Sequence, residues 1–145
     1  MGSTIGHRYV TDVWVRWSDL DAFGHVNNAK TVTLLEEARV DWLFVEAAKK
    51  GIGRMTEGIV VAKLNITYKR SIPFGRPLTI SMGIAKLSAS SFTVDYLVSF
   101  DDVLAATGET VLVPVDPATF RPRRLDLRER DFLAKFQAPQ QVPEP

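Results

Sequence analysis

Two periods of hydrophobic residues divide this chain into elements. Over residues 9–17, apolar and polar positions alternate, which predicts a β-strand. From residue 28 to residue 50 there is no Pro or Gly and the apolar spacing becomes helical, so a long helix is predicted. The apolar arc of this helix is wider than a surface helix needs, which indicates a central helix that is mostly enclosed.

Alternation returns in four later segments. These predicted strands cover residues 59–68, 78–87, 92–100 and 103–113. The connector between the last two, Asp101-Asp102, demands a tight hairpin, and the other short connectors also favour antiparallel neighbours. A strand, a loop, a long helix and four strands predict an α+β domain, in which an antiparallel sheet of about five strands wraps around one long central helix.

A single sheet of this kind favours self-association. It has two exposed edges, and we expect its outer face to carry the apolar residues Trp14, Leu97, Leu104 and Leu112. In the segment 59–68, strict alternation places five residues on one face: Val60, Ala62, Leu64, Ile66 and Tyr68.

After residue 114 the pattern weakens. Residues 126–136 predict a short helix with Asp126 as its cap. The candidate apolar contacts of this helix are Leu127, Phe132 and Phe136. Several prolines follow, which is typical of a frayed tail. We therefore divide the chain into one domain of residues 1–125 and a C-terminal segment of residues 126–145, with a short helix and a Pro-rich tail.

Composition narrows the classes of function. The hydrophobic fraction of 46% is ordinary for a globular domain, and a net charge of +1 gives no electrostatic reason to expect nucleic acid as a partner. Because the chain has no Cys, disulfides, thiolate metal sites and a Cys nucleophile are excluded. No run approaches the ~20 apolar residues of a membrane helix, and residues 1–8 lack a signal-peptide core. We expect a cytoplasmic protein without a membrane partner.

The loop between the first strand and the helix concentrates groups that can do chemistry. Two acids, one histidine and two carboxamides fall within ten residues: Asp19, Asp21, His25, Asn27 and Asn28. A turn does not require so many polar groups, so we interpret this stretch as a catalytic loop. A metal site is not expected, since the one other histidine is His7 and further ligands are not visible.

A family signature is found in this loop and the helix after it. It reads Asp19-x-Asp21-x-x-Gly24-His25-Val26-Asn27-Asn28, followed by Glu36-x-x-Arg39. This string resembles the signature of the hotdog-fold acyl-CoA thioesterases, in particular the 4-hydroxybenzoyl-CoA thioesterase/YbgC-type branch. Ile66-x-Tyr68, followed by Pro73 and Gly75, is similar to that family's second landmark. The resemblance implies a hotdog fold, hydrolysis of an acyl-CoA to a free acid and coenzyme A without a metal or other cofactor, and a homodimer or homotetramer.

The resemblance also implies roles for three residues. Thioester hydrolysis needs an oxygen base or nucleophile and a donor for the oxyanion. Asp21 matches the position of the first, and the backbone N–H near Asn28 matches the position of the second. His25 is a candidate to orient the substrate, donate to the carbonyl or relay a proton, with a structural role as the alternative. The alternative for Asp21 is a helix-capping or turn acid.

The remaining residues of the signature are interpreted as support. Asp19 is expected to hydrogen-bond the backbone of its own loop, Gly24 to give backbone room, and Asn27 to hold the start of the helix. Glu36 lies on an apolar stripe, so we expect a buried carboxylate that is paired with Arg39. Because a helix Glu is the base in another hotdog branch, Glu36 is also the reserve candidate for the base.

The chain departs from the family pattern in ways that affect substrate choice. Thr31 stands where the family usually has an aromatic residue, so we expect an acyl pocket of different shape. Phe23 stands where the plant acyl-ACP thioesterases, which resemble this segment too, carry a catalytic Asn. Four cations, Lys63, Lys69, Arg70 and Arg76, are candidates to contact the phosphates of coenzyme A, with scattered surface cations as the favoured alternative. Three functional alternatives stay open at this level: an acyl-ACP thioesterase, a dehydratase or hydratase of the same fold, and a non-catalytic acyl-thioester-binding module.

Overall fold

The computed structural model describes residues 2–139, and its main element is an antiparallel sheet. The six strands are β1 (Ser3–Ile5), β2 (Arg8–Trp14), β3 (Ile59–Tyr68), β4 (Pro77–Leu87), β5 (Phe92–Phe100) and β6 (Val103–Pro114). They lie in the order β1-β2-β4-β5-β6-β3, and all neighbours are antiparallel. The predicted α+β hotdog architecture is confirmed, with the short strand β1 added to the five that the alternation indicates.

One long helical run packs against this sheet. It begins as α1 (Asn28–Arg39), continues through a π-helical segment (Val40–Glu46) and ends with α2 (Ala47–Lys49). We call the whole run the central helix. Its buried side chains join those of the sheet in one core: Leu34, Leu35, Ala38, Trp42, Leu43 and Ala47. The run ends near Gly51, whose φ of 80° favours glycine. Within residues 2–139, no helix combines the length and the apolar character that crossing a membrane requires.

Strand β2 ends earlier than the alternation predicts. It stops at Trp14, and the chain then forms a 3₁₀ turn at Trp17–Asp19. The side chain of Asp19 accepts hydrogen bonds from the backbone and side chain of Arg16. Residues 16–19 are therefore bonded to one another and do not continue the pairing of β2 with β4. A second 3₁₀ turn, Arg54–Glu57, joins the central helix to β3.

Strand β3 lies at one edge of the sheet and contains a bulge between Val61 and Lys63. The extra residue changes which side chains face the helix. Val61 therefore lines a cavity together with residues of the central helix, while Tyr68 also reaches that helix. The prediction that Val60 shares a face with Tyr68 is wrong for this reason, and Ala62, the extra residue of the bulge, has no partner in the β3–β6 register.

A similar irregularity in β6 moves a predicted surface residue into the core. Ala105 has no cross-strand partner in the β5–β6 register, which reverses the alternation beyond it. Leu104 is 40% exposed as expected, but Leu112 is only 1% exposed, so its placement on the outer face is wrong. The predicted hairpin is present: Asp101 and Asp102 have φ of 46° and 61°, as a two-residue turn with positive φ requires.

The C-terminal segment contains the helix that its sequence predicts, α3 (Leu127–Ala134). The Asp126 carboxylate accepts the N–H of Glu129 at 2.9 Å, and the Glu129 carboxylate accepts the N–H of Asp126 at 2.9 Å. Together these two bonds form a capping box. Glu129 also forms a buried ion pair with Arg123 at 2.8 Å, so this cap is tied to the preceding extended chain.

The contacts of α3 agree only in part with the prediction. Phe132 and Phe136 are buried, and the Phe136 ring lies 5.0 Å from the Trp42 ring in an edge-on arrangement. Leu127 is 74% exposed because it is the first residue of the helix and points away from the core, so its predicted contact is wrong. The predicted tail residues Pro143 and Pro145 lie outside the described residues, and the division at residue 125 stays a prediction.

Candidate active site

The polar loop and the start of the central helix line one cavity of about 530 Å³, which we call the loop cavity. Its lining includes four of the predicted site residues: Asp21, His25, Asn28 and Thr31. The rest comes from Phe23, Val26 and residues 68–72, at the end of β3 and just after it. Residues far apart in sequence therefore meet at the polar loop. Within residues 2–139, no three His, Cys, Asp or Glu side chains come together in a way that would hold a metal ion.

Asp21 organises a tight turn and keeps one oxygen free. Its Oδ1 accepts hydrogen bonds from the N–H groups of Phe23 at 2.9 Å and His25 at 3.3 Å. Gly24 completes the turn with a φ of 78°, a conformation that strains other residues. Asp21 is half-buried, and its Oδ2 has no hydrogen-bond partner in the described part of the chain. The carboxylate can thus hold the turn and still present an oxygen to the cavity.

Asp19 is fully buried beneath the same loop. Its Oδ2 accepts the backbone N–H of Arg16 at 2.8 Å, and its Oδ1 accepts the Arg16 guanidinium at 2.9 Å. The hydrogen bond from the Arg16 guanidinium holds the pKa of Asp19 below its usual range. The backbone carbonyl of Asp19 accepts the N–H of Asn27 at 2.8 Å, so this buried acid connects the loop to the start of the helix.

Replacing Asp19 with Ala should lower the free energy of unfolding by about 1–3 kcal/mol at pH 7, because the hydrogen bonds that its buried carboxylate accepts from Arg16 are lost. The folded-state pKa of Asp19 lies below the ordinary value of 3.8, so its stabilisation is present above that value and is lost as the pH falls through the folded-state pKa. Urea unfolding at pH 7 and pH 3 checks this, with a smaller difference between wild type and variant at pH 3. An equal difference at both pH values would contradict the assignment.

Asn27 caps the central helix, and the next residue, Asn28, has an unpaired backbone N–H at the loop cavity. Its Oδ1 accepts the N–H of Ala29 at 2.8 Å, and its carbonyl oxygen accepts donors from the next turn. The Asn28 N–H has no acceptor among residues 2–139. The Tyr68 hydroxyl donates to the Asn28 carbonyl at 2.6 Å, which ties the end of β3 to this residue. An unpaired N–H at the positive end of a helix is a suitable donor for an oxyanion.

Glu36 lies apart from these residues, and its predicted burial is wrong. Its side chain is 69% exposed, whereas the side chain of Arg39 is 11% exposed, and their charged atoms are 3.9 Å apart. The i,i+3 geometry that predicted the pair is present, but the helix turns the carboxylate outwards and the guanidinium inwards. Glu36 lines a different cavity farther along the helix, so it does not join Asp21.

Several residues of the loop cavity were not assigned to the site from sequence. Tyr68 was noted only as part of a family landmark, and its hydroxyl contact with Asn28 is not visible from strand alternation. Burial raises the pKa of the Tyr68 phenol. Lys69 and Arg70 are held by hydrogen bonds from their N–H groups to the carbonyl of Ala105, at 2.8 and 3.1 Å. Two cations therefore border the cavity that contains Asp21.

Sequence comparisons match this chain to a known protein family and to two bacterial proteins. The family model described as the thioesterase-like superfamily matches residues 15–143. The long-chain acyl-CoA thioesterase FadM of Escherichia coli (strain K12) is 31% identical over 91 residues, which cover 63% of this chain and 69% of FadM. The uncharacterized protein YsmA of Bacillus subtilis (strain 168) is 30% identical over 112 residues, covering 74% of this chain and 72% of YsmA.

Solved structures resemble this chain over most of its length. A thioesterase of Thermus thermophilus, in complex with coenzyme A and Zn, has a TM-score of 0.74 at 31% identity and covers 88% of this chain and 93% of its own. The DHNA-CoA thioesterase of Staphylococcus aureus has a TM-score of 0.73 at 27% identity, covering 89% of this chain and 88% of its own. These likenesses extend across the sheet and helix that build the loop cavity.

Proposed function

Because the chain belongs to the thioesterase-like superfamily and is a thioester hydrolase, we propose that it hydrolyses acyl-CoA thioesters to a free acid and coenzyme A. The observation that supports this proposal is the presence of Asp21 and Asn28, with a free carboxylate oxygen and an unpaired helix N–H, in one cavity. FadM is named as a long-chain acyl-CoA thioesterase, and the T. thermophilus thioesterase binds coenzyme A. A non-catalytic binding module is not retained, since the family is one of hydrolases.

In the proposed reaction Asp21 activates water. Its free Oδ2 takes a proton from a water molecule as the water oxygen bonds to the thioester carbon. Direct attack by Asp21, which gives a mixed anhydride that water then hydrolyses, is the alternative and has the same net balance. Either route needs the carboxylate in its ionised form and the turn of residues 21–25 in place.

The start of the central helix stabilises the charge that develops on the carbonyl oxygen. The Asn28 N–H donates to this oxygen, and the positive end of the helix adds to the effect. When the tetrahedral intermediate collapses, the C–S bond breaks, and the thiolate of coenzyme A takes up the proton that Asp21 received. The products are one acid and one thiol, and the proposed steps require no metal or redox cofactor.

The exposed residues of the loop cavity supply substrate contacts in this proposal. Lys69 and Arg70 are placed to meet the phosphates of coenzyme A, while the exposed ring of Phe23 borders the same opening. His25 lines the cavity beside Asp21 and orients the thioester. Thr31 is buried in the wall and limits the width of the acyl site. A cytoplasmic location remains a prediction.

A hydrolysis screen tests the proposed function. Wild-type protein is given saturated acyl-CoA substrates from two to sixteen carbons, and thiol release is followed with a colorimetric reagent. We expect at least one substrate with kcat/KM above about 10⁴ M⁻¹s⁻¹. The same acyl group on acyl-carrier protein is the comparison, because a higher kcat/KM there would favour the acyl-ACP alternative. No release from any acyl-CoA would contradict the proposal.

We propose that the working unit is a homodimer joined through β3. This edge strand exposes apolar side chains in the single chain: Val60, Val61, Leu64 and Tyr68. An exposed apolar edge favours pairing with another chain. Since Tyr68 also contacts Asn28, a second copy paired along β3 would lie next to the loop cavity. Two such dimers could further associate into a tetramer.

Replacing Val60 with Lys should weaken this association, because a lysine on an edge strand opposes pairing with another chain. Val60 is 38% exposed and lies outside both the loop cavity and the cavity beside Glu36. We expect the dimer dissociation constant to rise about tenfold or more, measured by sedimentation or light scattering over a dilution series. The matched control is Leu104→Lys at a similarly exposed position on β6, which should leave the dimer dissociation constant as in wild type. Equal effects of the two substitutions would contradict the β3 interface.

A further inference from the structure

A second cavity of about 250 Å³ lies farther along the central helix, beside β3, and we call it the helix cavity. Its wall is mostly apolar: Val40, Leu43, Phe44, Ile59, Val61 and Leu112. Arg39 also lines it and is only 9% exposed, so its guanidinium is a buried cation beside apolar surface. A buried charge of this kind is costly unless it is paired.

Within the described chain Arg39 has few partners. Its Nη1 donates to the Tyr96 hydroxyl at 3.2 Å, and its Nη2 lies 3.9 Å from the Glu36 carboxylate. Because the Glu36 side chain is largely exposed, this pair contributes little stabilisation. A guanidinium has five N–H donors, so most remain available to an acceptor in the helix cavity. The Tyr96 hydroxyl also lies 2.7 Å from that of Thr110, and this hydrogen bond holds in place the oxygen that accepts from Arg39.

The two cavities lie along one strip between the central helix and β3. The loop cavity is where Asn28 meets Tyr68, and the helix cavity is where the later helix residues face the beginning of β3. Between them, Val32 on the helix and Leu64 on the strand are partly exposed, so the strip is accessible in a single chain. A second copy along β3 would turn this strip into a covered groove.

The length of this strip sets the size of the acyl group that would fill it. From Asn28 to Arg39 the helix rises about 16 Å, and helical side chains lean back towards the N-terminus, which brings the guanidinium closer to the site. An extended chain advances about 1.2 Å per bond, so an acyl group of about eight to twelve carbons would connect the two cavities.

From these observations we infer that the preferred acyl group ends in a carboxylate, which Arg39 binds at the far end of the groove. The inference rests on the proposed function, since it names the acyl group of the same substrate. The planar guanidinium suits a carboxylate, which it binds through two parallel hydrogen bonds. An apolar chain would leave those donors unpaired, whereas an ω-carboxyl chain satisfies both the apolar wall and the cation. Glu36 also lines the helix cavity, but its side chain is 69% exposed and its carboxylate lies 3.9 Å from the Arg39 Nη2, so the other N–H donors of Arg39 are left to the substrate.

Matched pairs of substrates test this inference on the full chain. Octanoyl-, decanoyl- and dodecanoyl-CoA are compared with the mono-CoA thioesters of the dicarboxylic acids of equal length. The readout is the ratio of kcat/KM, dicarboxylic over monocarboxylic, at each length. We expect a ratio above one at one or more lengths in wild type, and a fall of about tenfold to a hundredfold in Arg39→Met. Arg39→Lys keeps the positive charge but not the two parallel N–H donors, so the ratio should fall less than in Arg39→Met. Tyr96→Phe should also lower the ratio, because Arg39 loses the hydroxyl that holds its guanidinium in position.

The control is Arg76→Met, which removes an exposed arginine that pairs with Asp101 and lines neither cavity. This variant should keep the wild-type ratio. If the ratio in wild type is below one and neither Arg39 variant nor Tyr96→Phe changes it, the inference is overturned while the proposed function stands. It is also overturned if Arg39→Met dissociates the dimer and reduces both substrate series alike, since Arg39 would then bind the second copy. Hydrolysis of no thioester by wild type would overturn the proposed function and the inference together.

Discussion

The Asp21→Asn variant should lose about 10²- to 10⁴-fold in kcat/KM, because the amide cannot accept the proton of the attacking water or attack the thioester itself. The substitution is chosen to spare the fold. Its side-chain oxygen can still accept the N–H groups of Phe23 and His25, so the turn keeps its hydrogen bonds. Thiol release with the best acyl-CoA substrate measures the loss, and circular dichroism with light scattering verifies that the fold and the oligomeric state are those of wild type.

Glu37→Gln is the control for this variant, since it removes an exposed carboxylate of the central helix that lies outside the loop cavity. Its kcat/KM should stay within about twofold of wild type. Unaltered turnover in Asp21→Asn would remove Asp21 from the mechanism. In that event Glu36→Gln is the next measurement, although the position of Glu36 outside the loop cavity speaks against it.

The Asn28→Pro variant should lose about 10²- to 10³-fold in kcat, because proline has no N–H to donate to the oxyanion. Position 28 is the first residue of the helix, where proline is well tolerated. The preceding residue, Asn27, has φ of −59° and ψ of 137°, a conformation that is compatible with a following proline. The carbonyl that accepts the Tyr68 hydroxyl is retained. Steady-state kinetics should show the loss mainly in kcat, since the donor acts in the transition state.

Asn28→Ala separates the backbone from the side chain at this position. It removes the carboxamide and keeps the N–H, so its kcat should remain within a few-fold of wild type. A large loss in Asn28→Ala together with a small loss in Asn28→Pro would assign the role to the side chain instead. Thermal unfolding of both variants verifies that the helix start is intact.

The fold was largely predictable because its periodicity is strong. The change from alternation to helical spacing at Asn28 located the central helix within one residue at each end. Two of the errors fall where one extra residue interrupts the alternation of a strand. A bulge near Val61 and another at Ala105 reverse which side chains are buried, and neither is marked by a glycine or proline. Such irregularities depend on pairing between strands, which a single strand's pattern does not contain.

The candidate site was predictable on one side only. The loop from Asp19 to Asn28 carries its hydrogen-bonding groups in sequence order, so its turn and cap could be anticipated from residue types. The opposite wall depends on where β3 ends relative to the helix, a long-range relation that places Tyr68 beside Asn28. Burial of Arg39 rather than Glu36 likewise follows from helix orientation against the sheet, which an i,i+3 spacing does not define.

Strand β3 leaves the ribosome well before β6, the strand with which it pairs. Roughly 35 residues separate them, which at about 5–20 residues per second is a delay of about two to seven seconds. During that time β3 is an exposed apolar strand, because β6 has not yet been synthesised and the subunit that would pair with a second copy is incomplete. Folding of the sheet and the proposed pairing of subunits thus compete for the same strand during synthesis, so translation speed and chaperone supply should influence the yield of active enzyme.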